Sequence, residues 1–273
     1  MRFLHRPLVT LAVLLGFSVH GWSQDGAYDC LIEPSVTVEI GSSIRGVAES
    51  VLVSRGDEVE QGQILVQLES GVQAASVALA EARSKSTAEV EARRESLALA
   101  RSALKRIEEL QRDGNVSRQL FDEARSEAII AESGLQQAEE NRLLAALELQ
   151  QAREVLALRT IKSSISGIVV DTMISPGELV TEDRPIISLA QIDPLYVEAI
   201  IPAPDFGRIS AGDRATVFPA GPVGGEYPGT VVIVDQIIDA ASSTFGVRVE
   251  LPNPQGRIPA GLNCDVRFSK ADP

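Results

Sequence analysis

Histidine is all but missing from this sequence, and what little there is stands at the N-terminus. His5 and His20 are the only two, and the sole tryptophan, Trp22, lies beside them. Beyond residue 23 the chain has no imidazole, which removes the commonest general base and the commonest metal ligand. Met173 is the only methionine there, which argues against a Met- or His-based copper or silver site. No nucleophile-elbow pattern and no phosphate-binding glycine loop is present. We therefore read no catalytic residue, no cofactor and no metal site. Bases are also short: the chain carries a formal net charge of −13. The first 23 residues hold Arg2 and Arg6 and no acid, so the remainder stands at −15. A chain this acidic offers no field for nucleic acid and none for anionic lipid.

Long hydrophobic runs are limited to one. Leu8 to Val19 is apolar and follows the basic Arg2 and Arg6. It is near the length of a signal-peptide core and short of the ~20 residues that span a bilayer. Gly21 and Ser23 fit a cut before Gln24, so residues 1–23 read as a cleaved leader. An uncleaved anchor is the alternative, disfavoured by the short run and the polar segment after it. Only two cysteines occur, Cys30 and Cys264. An oxidising compartment would let them pair and tie the N-terminal strand to the last one. Two buried thiols are the other reading, and the sequence leaves both open. Ala27-Tyr28-Asp29 is bulky and acidic, unlike the small residues before a lipidated cysteine.

What is present is a duplication. Ser42 to Glu69 aligns with Ser163 to Ala190, without a gap, at a constant offset of 121. Identities include Ser42/Ser163, Gly46/Gly167, Ser54/Ser175, Gly56/Gly177, Val59/Val180 and Leu68/Leu189. Each copy reads as short strands separated by turns at Gly56-Asp57 and at Pro176-Gly177-Glu178. One copy cannot bury both of its faces, so two copies packed as a small sandwich are expected.

Between the copies the composition changes. Val72 to Leu156 has no proline and is rich in Ala, Leu, Glu, Gln and Arg. Gly114-Asn115 is the only clear break, which predicts two long helices joined by one tight turn. The second helix carries a heptad through Phe121, Ala124, Ala128, Ala131, Leu135, Ala138, Arg142, Ala145, Leu149, Ala152 and Leu156. In the first helix the seam runs through Val72, Ala75, Leu79 and Ala82, slips near Ser86, and resumes through Val90, Leu97, Ala100, Leu104 and Ile107. The last segment holds five short strand-like runs split by Pro, Gly and Asn, the pattern of a small barrel.

The expected fold is therefore mostly β with a long α-helical coiled-coil hairpin. Its parts are a leader (1–23), an N-terminal strand and first half-motif (24–70), the hairpin (71–157), a second half-motif (158–192) and a β-barrel (193–270). In that order they resemble the membrane fusion proteins, or periplasmic adaptors. Ile32-Glu33-Pro34 through Gly62-Gln63-Ile64-Leu65, with Ser164-Ile165-Ser166-Gly167-Ile168 through Pro176-Gly177-Glu178, look like that family's split lipoyl-like domain. Asp193-Pro194-Leu195-Tyr196-Val197 and Asn253 to Gly261 look like its barrel.

The resemblance implies a periplasmic subunit, peripheral to the inner membrane, that joins an inner-membrane RND transporter to an outer-membrane efflux channel. It also implies a ring of copies, six by analogy. An ABC-type exporter is the alternative partner. At the hairpin turn, Arg106, Leu110 and Ser117 keep the spacing by which family members meet the channel tips. Ser117 also reads as a helix N-cap, Leu110 as a last seam residue, and Arg106 as a partner for Glu109 or Asp113. The chain ends at Pro273, a few residues past the last predicted strand. A further membrane-proximal domain, common in RND adaptors, is therefore not expected here.

Three rival functions were weighed. A lipoyl or biotinyl carrier would need a lysine in the turn Glu69-Ser70-Gly71, and there is none. A hydrolase lacks any selected catalytic group. A structural coiled-coil protein of the envelope shares the architecture and stays open.

Overall fold

The computed structural model describes residues 26–270. The leader assigned to residues 1–23 lies outside them. The chain forms two compact units, one of Pro34–Leu195 with Asn253–Ala260, the other of the remaining N-terminal, Tyr196–Pro252 and C-terminal segments. Its strands are β1 (Tyr28–Ile40), β2 (Gly46–Val51), β3 (Glu58–Val59), β4 (Ile64–Leu68), β5 (Thr160–Lys162), β6 (Gly167–Thr172), β7 (Leu179–Val180), β8 (Ile187–Pro202), β9 (Arg214–Pro219), β10 (Tyr227–Val234), β11 (Thr244–Leu251) and β12 (Asn263–Ser269). Three helices, α1 (Gly71–Ser84), α2 (Ala88–Arg112) and α3 (Arg118–Ala157), lie between β4 and β5.

The duplicated segments form the sandwich, and they interlock rather than merely stack. β2 of the first copy pairs with β7 of the second, Gly46 opposite Val180. Reciprocally, β3 of the first pairs with β6 of the second, Val59 opposite Gly167. Both registers obey the offset of 121. So do the turns: Gly56 N donates to Val169 O and Gly177 N to Ala48 O, each at 2.8 Å. Even an irregularity repeats. The β2–β4 register slips between Ala48 and Ser50, and the β6–β8 register slips between Val169 and Asp171. Ser42 and Ser163 are both buried, and each hydroxyl donates to the carbonyl two residues on, Ile44 and Ile165. One shared core results, from Ala48, Val59, Leu65, Leu68, Val169, Val180, Ile187 and Leu189. Neither copy could bury these side chains alone.

Helices α1 and α2 both pack against α3. In α3 every heptad residue named above is buried or half-buried except Arg142, the one polar member. At 1.5 Å per residue its 40 residues extend ~60 Å.

The first arm departs from expectation. It is two helices, because the regular helical hydrogen bonding is interrupted at Lys85–Thr87. Ser84, Ser86 and Thr87 supply hydroxyls that compete for the backbone. The Ser84 hydroxyl donates to Glu81 O at 3.0 Å, and Ser86 N turns to Arg83 O. Thr87 then opens α2, whose first turn carries Glu89 and Glu91, the sign that a helix start favours. Beyond the break the expected seam holds: Val90 and Leu97 are buried, and Ala100, Leu104 and Ile107 half-buried. Before it the seam is misplaced. Val72, Ala75, Leu79 and Ala82 are exposed, while Gln73, Val77, Ala80 and Ser84 face inward. Alanines and valines occupy both sides of α1, so apolar spacing alone does not select the inner one.

The second unit is the barrel. In it β1 pairs with β12, β12 with β9, β9 with β10 and β10 with β11, all antiparallel. Alternation is strict in β11, where Phe245, Val247, Val249 and Leu251 are buried and the residues between them are not. Outside this core, Arg248 makes an ion pair with Glu198 and lies over the Tyr196 ring, 5.1 Å from its centroid. Cys30 stands opposite Cys264 in the β1–β12 register, and their sulfurs are joined in a disulfide.

Candidate docking site at the turn between the long helices

The turn from α2 to α3 and its flanks hold all three residues that the family resemblance singles out. Gly114, at φ +72°, adopts the left-handed conformation that ends a helix without steric cost. Two carbonyls left open at the end of α2 are satisfied there: Gly114 N donates to Gln111 O at 3.0 Å, and Asn115 N to Leu110 O at 2.9 Å. Ser117 then starts α3. Its hydroxyl accepts from Leu120 N at 3.3 Å, the N-cap role read from the sequence.

Arg106 is exposed and donates to Ser102 Oγ at 2.9 Å. It pairs with neither Glu109 nor Asp113, so its charge is free for an incoming carbonyl or carboxylate. Leu110 is 43 % exposed and therefore does not close the seam. Leu120, which the sequence did not single out, is 42 % exposed one turn into α3. The signal that could have found it is its place outside the heptad next to Phe121. Along α3 from the turn runs an open cleft of about 650 Å³, bordered by Arg118, Asp122, Glu123, Ser126, Glu127 and Ile130. Ile130 is its main apolar border, so the cleft offers little to a buried small molecule.

The arrangement presents exposed polar and apolar side chains at one end of the helix pair. An exposed guanidinium in the penultimate turn of α2, half-exposed Leu110 in its last turn, the Ser117 hydroxyl at the cap of α3 and half-exposed Leu120 in its first turn occupy this end of the helix pair. Such an end can extend side-chain interdigitation to other helix ends. Elsewhere, Ser70 and Gly71 begin α1, so the turn where carrier domains hold a modified lysine is a helix start here. Among the described residues, no helix is long and apolar enough to cross a membrane.

Comparison with known proteins agrees with this architecture. The family model described as CzcB-like, barrel-sandwich hybrid domain matches residues 36–191. That described as CusB-like, beta-barrel domain matches residues 194–272. The cobalt-zinc-cadmium resistance protein CzcB of Cupriavidus metallidurans is 27 % identical over 236 residues, 86 % of this chain and 43 % of that protein. The multidrug resistance protein MdtE of Escherichia coli K12 is 27 % identical over 248 residues, 84 % of this chain and 60 % of that protein. The chain thus spans about half the length of the curated relatives it matches. Among solved structures, MacA from Actinobacillus actinomycetemcomitans shares the fold at a TM-score of 0.74 and 22 % identity, over 90 % of this chain and 78 % of that one. With its two domain types in the expected order, this chain belongs to the membrane fusion protein, or periplasmic adaptor, family.

Proposed function

We propose that this protein is a non-enzymatic periplasmic adaptor of an export pump. It links an inner-membrane RND transporter to an outer-membrane channel and acts as a ring of copies, six by family analogy. The observation that supports this most is the exposed end of α2 and α3, which presents Arg106, Leu110 and Ser117 at the spacing of channel-docking adaptors. The names of the relatives, metal resistance for one and multidrug resistance for the other, agree with export and differ in cargo. In this reading the arms act as one long coiled-coil hairpin reaching the channel, and the leader over residues 1–23 is removed on export. The Cys30–Cys264 bridge forms in the oxidising periplasm. Work is done by assembly and coupling, without chemistry on the cargo.

Leu110→Asp tests the docking role. It places a charge on an exposed apolar knob without touching a core. The expected result is loss of the channel from crosslinked complexes, with the transporter and the protein's abundance retained. Undiminished channel recovery would remove Leu110 from the contact.

A further inference from the structure

The barrel unit takes one strand from the start of the chain, the segment of β1 up to Glu33, and everything else from Tyr196 onward. The β12 strand that meets it is the last of the chain, so the Cys30–Cys264 bridge spans 234 residues. What holds β1 on β12 besides the bridge is short. The register runs only from Tyr28 opposite Val266 to Leu31 opposite Asn263. Two bonds extend it: Ile32 N donates to Leu262 O at 2.8 Å and Gly261 N to Ile32 O at 2.7 Å. Beside the cysteines, Asp29 stands opposite Asp265, and both are exposed. Like charges directly opposite destabilise a strand pair. Neither enters an ion pair among the described residues. Besides Cys30, Ile32 is the one residue of Tyr28–Glu33 that is buried. Tyr28 adds a ring contact with Phe268 and donates to Asp205 Oδ2 at 3.1 Å, at the end of the strand where fraying starts.

The burial of the sulfurs sets the order of events. With β1 in place, Cys30 is 7 % and Cys264 6 % exposed. Thiol–disulfide exchange needs a thiolate to meet a sulfur of the other molecule, and a buried thiol meets none. Exchange with a donor therefore takes place while β1 is off β12. Once the bridge has closed beneath the strands, a thiol reductant no longer reaches it.

We propose that Cys30 and Cys264 are a one-way redox clamp: β1 stays loose on the reduced chain and is locked onto β12 when an envelope dithiol oxidase oxidises the pair. One thiolate attacks the disulfide of the oxidase and forms a mixed disulfide, releasing the first thiol of the oxidase. The second thiolate of this chain then attacks its partner's sulfur and releases the other. Two protons and two electrons leave the protein, and the oxidase disulfide becomes two thiols. In a reducing cytoplasm the barrel stays open, which suits a chain still to cross a membrane, and it closes in the oxidising periplasm. Only that pair of compartments rests on the adaptor reading.

Thiol labelling tests the clamp on the full exported chain. The protein is reduced in denaturant, refolded in a phosphine reductant, and pulsed with a maleimide under native conditions. Both thiols are expected to react within about tenfold of their rate in urea, with the helical circular dichroism retained. Oxidised glutathione, used as the donor, should then restore a bridge that reduced glutathione does not break under native conditions. Thiols protected in the refolded, reduced chain would overturn the proposal, because β1 would then seat without the bridge. Ready reduction of the native bridge by glutathione would overturn it too. Cys30→Ala with Cys264→Ala needs no refolding step. In that variant the loss of amide protection at Ile32 should exceed the loss in β2 and β4 by at least about tenfold. An equal loss everywhere, or none at Ile32, would contradict a clamp on one strand. The adaptor reading fails separately: a chain clamped by oxidation that captures neither transporter nor channel keeps the clamp and loses that reading. Capture of both by a chain whose reduced thiols stay protected does the reverse.

Discussion

Gly167 and Gly46 occupy equivalent places in the duplicated sandwich, at offset 121, and the structure assigns them unequal tolerance for a methyl group. A Cβ at Gly167 would collide with the Ala190 carbonyl, a backbone atom that moves only with its strand. Forcing a methyl into packed structure costs typically 1–3 kcal/mol, and backbone displacement belongs at the upper end. A Cβ at Gly46 would meet Arg159 Nη1 at 2.9 Å, the far end of a flexible side chain, and the buried Leu68 Cδ1 at 3.2 Å. The first contact is relieved by rotation and the second by a small shift of one methyl. The crowding is offset further by the ~0.4–1 kcal/mol that Gly→Ala contributes by restricting the unfolded chain. We expect Gly167→Ala to cost about 2–3 kcal/mol and Gly46→Ala less than about 1 kcal/mol. At 2–4 °C per kcal/mol for a unit of this size, the first loses roughly 4–12 °C and the second no more than about 4 °C. Urea and thermal unfolding of the purified chain, followed by circular dichroism and fluorescence, check both. Equal costs at the two sites, or a neutral Gly167→Ala, would refute the reasoning that Gly167 is present for close backbone approach.

Two further outcomes follow from the bridge and the cap. Cys30 and Cys264 are 234 residues apart, and at the chain-entropy limit a loop that long stabilises by about 5 kcal/mol. The double Cys→Ser variant should therefore melt well below the parent, and reductant should destabilise the parent alone; two free thiols in the unreduced, denatured parent would contradict this. Ser117→Ala should cost about 1 kcal/mol by removing the cap on Leu120 N, read as a several-fold loss of amide protection in the first turn of α3. Ser117→Asn should restore the cap, so channel capture that stays lost in Ser117→Asn separates docking from capping.

The sandwich and α3 were the legible parts, for physical reasons. An ungapped repeat leaves little freedom: if Gly46 meets Val180, symmetry makes Val59 meet Gly167, and both pairings occur. In α3 a heptad sustained from Phe121 to Leu156 selects the buried face, although Ile129, Ile130, Leu143, Leu144, Leu147 and Val155 are exposed outside it. α1 failed that reading because Ala75, Ala82 and Ala80 look alike in sequence while only Ala80 is buried. The slip near Ser86 was visible as a fault in the heptad, but spacing cannot tell an overwound helix from a broken one. The structure has a break, where Ser86 N turns to Arg83 O and the Ser84 hydroxyl donates to Glu81 O. At the turn, Arg106, Leu110 and Ser117 were singled out only through the resemblance to adaptors that carry this spacing. Leu120 was not singled out, although its place outside the heptad next to Phe121 already sets it off the seam.

The most direct test of the adaptor role is an in-cell crosslink and pull-down of the tagged protein, with partners identified by mass spectrometry. The account predicts recovery of an inner-membrane transporter together with an outer-membrane channel, the transporter's sequence then giving the pump class. Recovery of neither, from cells where the protein is abundant and folded, would contradict the account and leave a structural coiled-coil protein of the envelope.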